Sequence, residues 1–202
     1  MQFADRTART GRPPSTSAGR LEEIALDLFT RNGFDETTID DVAAAAGIGR
    51  RTFFRYYPSK NDLVWGDFER QLARFRIVLA GLEELPMMDA LRRAVVAFNR
   101  VDAAAAEQHR HRMRLILTVP TLQAHSTLRY AAWRRVVEEF VAVRTGTPVD
   151  AFVPRLVGHV ALAASVAAYE QWLVDPGADL SELIGTAFAE LPAGFAHHER
   201  RR

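Results

Sequence analysis

The chain has no cysteine. A disulfide framework and thiolate chemistry are thereby excluded, and a reducing cytosol is the expected location. Clusters of β-branched residues and turn-spaced strand patterns are scarce, which leaves little case for a sheet. No apolar run is expected to reach the roughly 20 residues of a bilayer-spanning helix. The opening stretch MQFADRTARTGRPPSTSAGR lacks the apolar core of a secretory signal. A cytoplasmic protein with no membrane partner is the expectation. Enzyme signatures are missing as well, with no His-Glu-x-x-His pair and no Gly-x-x-x-x-Gly-Lys phosphate loop. A non-enzyme without a cofactor is expected. His109 and His111 stand two apart, a spacing that gives no single metal-facing side on a helix, so no metal site is expected. Lysine is nearly absent: Lys60 is the one lysine, and the other 25 of the 26 basic residues are arginine.

What is present is 202 residues of 48% hydrophobic composition and net charge +1. That length allows a substantial core, in one domain or in a small one and a larger one. The near-neutral total says little about partners, but the distribution says more. Between Val42 and Asn61 stand Arg50, Arg51, Arg55 and Lys60 and no acid, and the first twenty residues hold Arg6, Arg9, Arg12 and Arg20 against Asp5. Local positive fields of this kind suit a phosphate backbone.

The pattern predicts an all-α chain of about nine helices. Residues 1–17 read as a basic flexible arm, poor in apolar residues. Leu21, Ile24, Ala25, Leu28 and Phe29 begin a helix that Asn32-Gly33 stops. Thr38 reads as an N-cap with Asp41 as its capping-box partner. Gly47-Ile48-Gly49 is a turn, a third helix runs from Arg50 to Tyr56, and Tyr57-Pro58 ends it. Two short helices across a tight glycine turn make a helix-turn-helix. Its expected core is Leu28, Phe34, Ile39, Val42, Ile48, Phe53, Tyr57 and Leu63. Ser59 caps a fourth helix, read as long and continuous because Trp65, Phe68, Leu72, Phe75, Leu79 and Leu82 form one apolar seam. Further helices are expected at 88–106, 108–118, 121–145, 150–174 and 179–191. The domains are then 18–64 with the helix-turn-helix, a larger helical domain at 65–192 and a flexible tail at 193–202.

The stretch GRRTFFRYYPSKNDL carries the chemistry. A recognition helix needs long donors for base edges, cations for phosphates and a rigid inner face. Arg50, Arg51 and Arg55 are suited to the outward face, and arginine to guanine is the commonest specific base contact. Thr52 can reach a base or a phosphate, and Phe54 and Tyr56 can pack on sugars or a thymine methyl. Lys60 and Thr38, each at a helix start, are expected at phosphates. The alternative for any one of them is a solvated charged face.

This same region, FDETTIDDVAAAAGIGRRTFFRYYPSKNDL, resembles the DNA-binding domain of TetR/AcrR-type regulators. Thr38, Ala43, Ala46, Gly47, Ile48, Thr52, Phe53, Tyr56, Ser59, Lys60 and Leu63 carry the match. Gly49 stands where serine is usual, Arg51 where glycine is common, and Phe54 and Tyr57 replace the usual Tyr and Phe. Phe54 thereby loses a phosphate-binding hydroxyl, and Arg51 adds a candidate base reader. The resemblance implies a homodimer on a palindromic operator of double-stranded DNA, with Arg9 and Arg12 of the arm in the minor groove.

The second half, around HRHRMRLILTVPTLQAHSTLRYAAWRRVVEEF, resembles regulators of the mycofactocin-associated type. That resemblance implies a small apolar effector of the long-chain acyl-CoA kind. Phe75, Leu79, Phe98, Val101, Leu115, Leu117, Leu122, Tyr130, Trp133, Phe140 and Val160 are candidates for an apolar tunnel. Arg114 and Arg134, with Arg110, His111, Arg112 and Arg135, are candidates for cations at its mouth. Ordinary core packing is the competing reading for the aromatics. Residues 150–174 and 179–191 are the expected dimer interface, with Ala161, Ala164, Ser165 and Ala168 allowing close approach and Tyr169, Trp172, Leu183 and Phe188 as anchors. His159 and Asn99 are expected inside with polar partners, and His159 is a candidate ligand contact. A repressor released by its effector is the leading reading. A helix-turn-helix protein without an effector stays open, and a helical enzyme has the least support.

Overall fold

The computed structural model describes residues 17–193. Among them the regular structure is all helical: ten α-helices and one short 3-10 turn at Ala103–Ala105. The chain divides into two compact units with the boundary between Val64 and Trp65.

The first unit holds α1 (Ala18–Asn32), α2 (Ile39–Ala45), α3 (Arg50–Tyr56) and the body of α4 (Lys60–Trp65). Ser17 caps α1 by accepting from the Arg20 amide. Gly33 ends it at φ +91, a value that favours glycine, and an added Cβ there would meet the Glu36 carboxylate. Leu21, Ala25, Leu26 and Phe29 of α1 pack with Phe34, Val42, Ala43, Phe53, Tyr57 and Leu63. Three expected core members, Leu28, Ile39 and Ile48, are only half-buried. Leu26 turns inward instead of Leu28, because the apolar arc of α1 is wider than the surface it covers. Tyr57 hydroxyl donates to Glu22 at 2.5 Å, tying the end of α3 back to α1.

The expected long fourth helix is broken. Gly66 takes φ +58, α4 stops at Trp65, and α5 (Phe68–Ala80) begins after Asp67. Trp65, Phe68, Leu72, Phe75 and Leu79 are nonetheless all buried, while Leu82 lies beyond the helix. The second unit continues with α6 (Met87–Phe98), α7 (Ala106–Thr118), α8 (Pro120–Thr145), α9 (Phe152–Val174) and α10 (Leu180–Ala193). The helix expected over 88–106 stops eight residues early, where Asn99 caps α6. Pro192, one residue past the expected helix end at 191, sits inside the last turn of α10.

Helix α9 packs along α8 and α10. Gly158 makes this close: a Cβ there would stand 3.0 Å from the Glu138 side chain and 3.4 Å from the Arg134 carbonyl. By length and composition α9 is apolar enough to cross a bilayer, contrary to the expectation that no apolar run has that length; Arg155, His159 and Glu170 interrupt the run without lowering its mean hydropathy below that of a span. Of that apolar window, 33% is buried within the chain.

Candidate functional site

In the first unit the α2–turn–α3 segment forms one rigid piece. The Ile48 amide donates to Ala43 carbonyl (2.9 Å) and the Gly47 amide to Ala44 carbonyl (3.0 Å), closing the turn. Phe53 (0% exposed) and Tyr57 (7%) anchor α3 from inside. Arg50, Arg51, Phe54 and Arg55 are exposed, and Thr52 and Tyr56 are half-buried. The two faces are therefore divided as the sequence predicts. Arg50 pairs with Asp40 of α2 at 2.9 Å and lies 5.5 Å from the Phe54 ring centre, and Arg55 lies 5.5 Å from that of Tyr56. Gly49 is the N-cap of α3 without a side-chain cap, and the first turn contains no acid. Two cations at a helix N-terminus oppose the helix dipole. Such an arrangement does not favour the free helix; it favours a bound anion.

Thr38 caps α2 as expected. Its hydroxyl accepts from the Asp41 amide (3.1 Å), and the Asp41 carboxylate accepts from the Thr38 hydroxyl (2.6 Å) and amide (2.8 Å). These bonds hold the Asp41 pKa below its ordinary value. Lys60 departs from expectation. Its ammonium is turned to the backbone of the α1–α2 loop and bonds the Phe34, Asp35 and Thr37 carbonyls. Arg9 and Arg12 lie outside the described residues.

In the second unit the candidate tunnel residues separate into two groups. Phe75 stacks on Trp133 (5.4 Å, 18°) and meets Phe98 (5.0 Å), while Trp65 adjoins Phe68 (5.0 Å) and Tyr130 (5.8 Å). Phe75, Trp133, Leu79 and Leu122 are buried, and Phe98 and Tyr130 are half-buried at the edge of this ring-on-ring cluster. Val160 instead lines a separate apolar recess of about 210 Å³ with Met88, Leu156, Val157, Ala161, Leu191 and Pro192. Val101, Leu115, Leu117 and Phe140 are half-buried. Of the candidate cations, Arg114 is exposed and Arg134 half-buried. Arg110 donates to the Trp172 carbonyl and lies 4.0 Å from a Trp172 ring centre. His111 pairs with Glu107 at 3.1 Å, and Arg135 with Glu139 at 3.5 Å.

A buried polar chain, which sequence reasoning saw only at Asn99, links α6, α7 and α9. Asn99 amide nitrogen donates to Val95 carbonyl (2.8 Å), which leaves its Oδ1 to accept from Tyr169 hydroxyl (2.8 Å). With that proton committed, Tyr169 oxygen accepts from His109 Nε2 (2.9 Å). Neutral His109 therefore carries its proton on Nε2. Burial first, and the Arg112 charge second, lower its pKa from 6.5 to about 4, and burial pushes the Tyr169 pKa up. Between those two His109 values, unfolding takes up a proton, so acid favours the unfolded chain. The stability supplied by neutral His109 is complete above pH 6.5 and falls towards about pH 4. The slope is at most about 1.4 kcal/mol per pH unit. Urea midpoints measured across this range should decline, and H109Q should flatten that part of the decline; an unchanged profile would remove His109 from the account.

The residues expected at a dimer interface lie mostly inside the chain's own fold. Ala161, Ser165, Ala168, Tyr169, Trp172 and Phe188 are buried, and Ala164 and Leu183 half-buried. A helix with few polar residues announces only weakly which side its own domain takes, and its large aromatics Tyr169 and Trp172 went to the core. His159 is exposed, not inside. It belongs to an outward stripe at helical spacing: Phe152 (76% exposed), Leu156, His159, Ala163, Ala167 and Val174 (79%).

Two family profiles match the chain. Residues 23–64 match the profile of bacterial regulatory proteins of the tetR family, and residues 85–196 that of the MftR C-terminal domain. Over 189 residues the chain is 44% identical to a Mycobacterium tuberculosis protein named as the mycofactocin biosynthesis transcriptional regulator MftR, covering 93% of this chain and 96% of that one. The regulator TcmR of Streptomyces glaucescens is 29% identical, with 84% of this chain and 78% of that one covered. Among solved structures, the FadR repressor of Thermus thermophilus, in complex with lauroyl-CoA, superimposes with TM-score 0.58 at 22% identity (92% and 97% covered). The fatty acid degradation regulator FadR of Bacillus halodurans gives 0.62 at 15% (88% and 99%). These two likenesses are of fold.

Proposed function

We propose, since the chain belongs to the TetR family of bacterial regulatory proteins and carries an MftR-type C-terminal domain, that it is a cytoplasmic repressor that leaves its operator when a small apolar effector binds. The observation that carries the DNA-reading part is the outward face of α3. Arg50, Arg51 and Arg55 stand there on a rigid helix-turn-helix, with no acid in the first turn. Residues 18–64 are proposed as the DNA-binding domain and 65–192 as the effector and dimer domain. Two copies are proposed to meet across the outward stripe of α9, where apolar residues at helical spacing stand in water. The dimer then presents two α3 helices to a palindrome.

The effector class proposed first is a long-chain acyl-CoA, with Arg114 and Arg134 as the cations for its head. For release, the effector must prefer the DNA-incompetent dimer, and each tenfold of preference is about 1.4 kcal/mol of coupling. The test is a mobility shift on DNA upstream of the protein's own gene, with and without palmitoyl-CoA. Release by the thioester and not by free palmitate is expected. Binding that ignores both would discard this effector and favour a DNA-binding protein without one.

A further inference from the structure

The first turn of α2 holds two acids, Asp40 and Asp41. Asp41 closes the cap, accepting from the Thr38 amide and hydroxyl. Asp40 takes no part in that cap. It is exposed, and its Oδ2 accepts from Arg50 Nη1 of α3 at 2.9 Å. An acid on a face that meets phosphates repels them, so it needs a function that outweighs the repulsion. Stability is a weak candidate. The two side chains are 57% and 65% exposed, and exposed pairs contribute little.

Of the three arginines on α3, Arg50 is the one held on two sides. Besides the Asp40 carboxylate, its guanidinium carbon lies 5.5 Å from the Phe54 ring centre. Among the described residues Arg51 and Arg55 form no ion pair, and Arg55 adjoins only the Tyr56 ring. Val42 to Asn61 contains no acid, so the partner of Arg50 comes from across the turn, in α2. The shape of the guanidinium then matters. It has five N–H donors, and a carboxylate on Nη1 leaves the Nε–Nη2 edge free. That edge carries two parallel donors, which match guanine O6 and N7. An arginine free of its neighbours spreads over nearby phosphates, which carry no sequence information. One held between a carboxylate and a ring is aimed at a single base position.

We propose that Asp40 is a positioning residue for sequence specificity. It holds Arg50 with one edge presented to a guanine, and its charge keeps that cation from neutralising phosphates of any sequence. Specificity is a difference of affinities, and the pair acts on both sides of the difference: binding at the right base is strengthened and binding elsewhere is weakened. This rests on α3 being the reading helix, and the test separates the two.

The operator is selected from random duplexes with the unmodified chain, and each of its base pairs is then replaced in turn. R50A should lose discrimination at a particular G·C pair. D40A should lose it at the same pair and bind the operator about tenfold more weakly. Its binding to unrelated duplexes should instead tighten, with a salt slope of log K steeper by up to about 0.9 for the arginine set free. D40N keeps an acceptor for Arg50 and should retain part of the discrimination. In an R50A background, D40A should leave the ratio of operator to unrelated binding unchanged. Equal tightening on both duplexes would overturn the proposal, as the mark of a carboxylate that only repels DNA. Equal weakening with a lower melting midpoint would overturn it as well, as the mark of a residue that only stabilises α2. Discrimination lost at a different pair would mean that Asp40 accepts directly from cytosine and does not act through Arg50. Full discrimination by R50A would remove both residues from the reading and leave the regulator intact. Failure of the unmodified chain to select any DNA would overturn the reading role of α3 itself, and that of Asp40 with it.

Discussion

Replacing Arg50 and Arg51 together by alanine is expected to abolish specific DNA binding and to leave the fold intact. Both side chains project from the first turn of α3 and are exposed. Each bidentate arginine–guanine contact is worth about 1–3 kcal/mol of discrimination, so losing two lowers operator affinity by roughly a hundredfold or more. The cost to the free protein is small for two reasons. The Arg50–Asp40 pair is 57% and 65% exposed, and exposed pairs contribute little. Removing cations from a helix N-terminus also relieves an unfavourable interaction with the dipole. The measurements are a binding titration on operator and unrelated duplexes beside a thermal melt. Full-strength specific binding by the double variant would mean that α3 is not the reading helix.

Phe75→Ala is expected to be the most damaging single truncation in the second unit. Phe75 is 1% exposed and lies between the Trp133 and Phe98 rings. Truncating a buried phenylalanine costs about 3–5 kcal/mol. In a chain of this length that corresponds to a fall of roughly 6–20 °C in melting midpoint. The result also bears on the effector. A residue lining an open tunnel has solvent or ligand on one side and loses little on truncation. A loss below about 1 kcal/mol would mean that the Phe75–Trp133 stack opens to admit a molecule, whereas the full loss means the effector is held elsewhere in the unit.

The helix-turn-helix was legible because its signals are local. Glycine at the turn, a threonine cap answered by Asp41 three residues on, and buried aromatics alternating with arginines each constrain a few neighbouring positions. The family resemblance was legible for the same reason, and the two profile matches agree with it. What escaped is set by tertiary packing. Trp65 and Phe68 are three apart, a spacing shared by a continuous helix and by two helices joined through a left-handed glycine, so Gly66 hid inside the seam. Asn99 ends α6 without a proline or glycine to announce it. The rotation of α9 was marked only by Arg155, His159, Glu170 and Gln171, all exposed, in an otherwise apolar or small-residue helix. Reading Tyr169 and Trp172 as interface anchors reversed it, since their surface is buried in the chain's own core. The Tyr169–His109 bond joins residues 60 positions apart, and no local pattern encodes it. The inward turn of Lys60 is of the same kind.

That lysine gives the molecule a single built-in point of cleavage. A lysine-specific endoprotease has one peptide bond to cut in the whole chain, Lys60–Asn61, and such enzymes must draw the side chain into their own pocket. They can do so only when the ammonium has left all three carbonyls, and the products are one fragment ending within α4 and one carrying the rest. The appearance of those two fragments therefore times the local opening of the α1–α2 loop and the start of α4, in native conditions and without unfolding the rest.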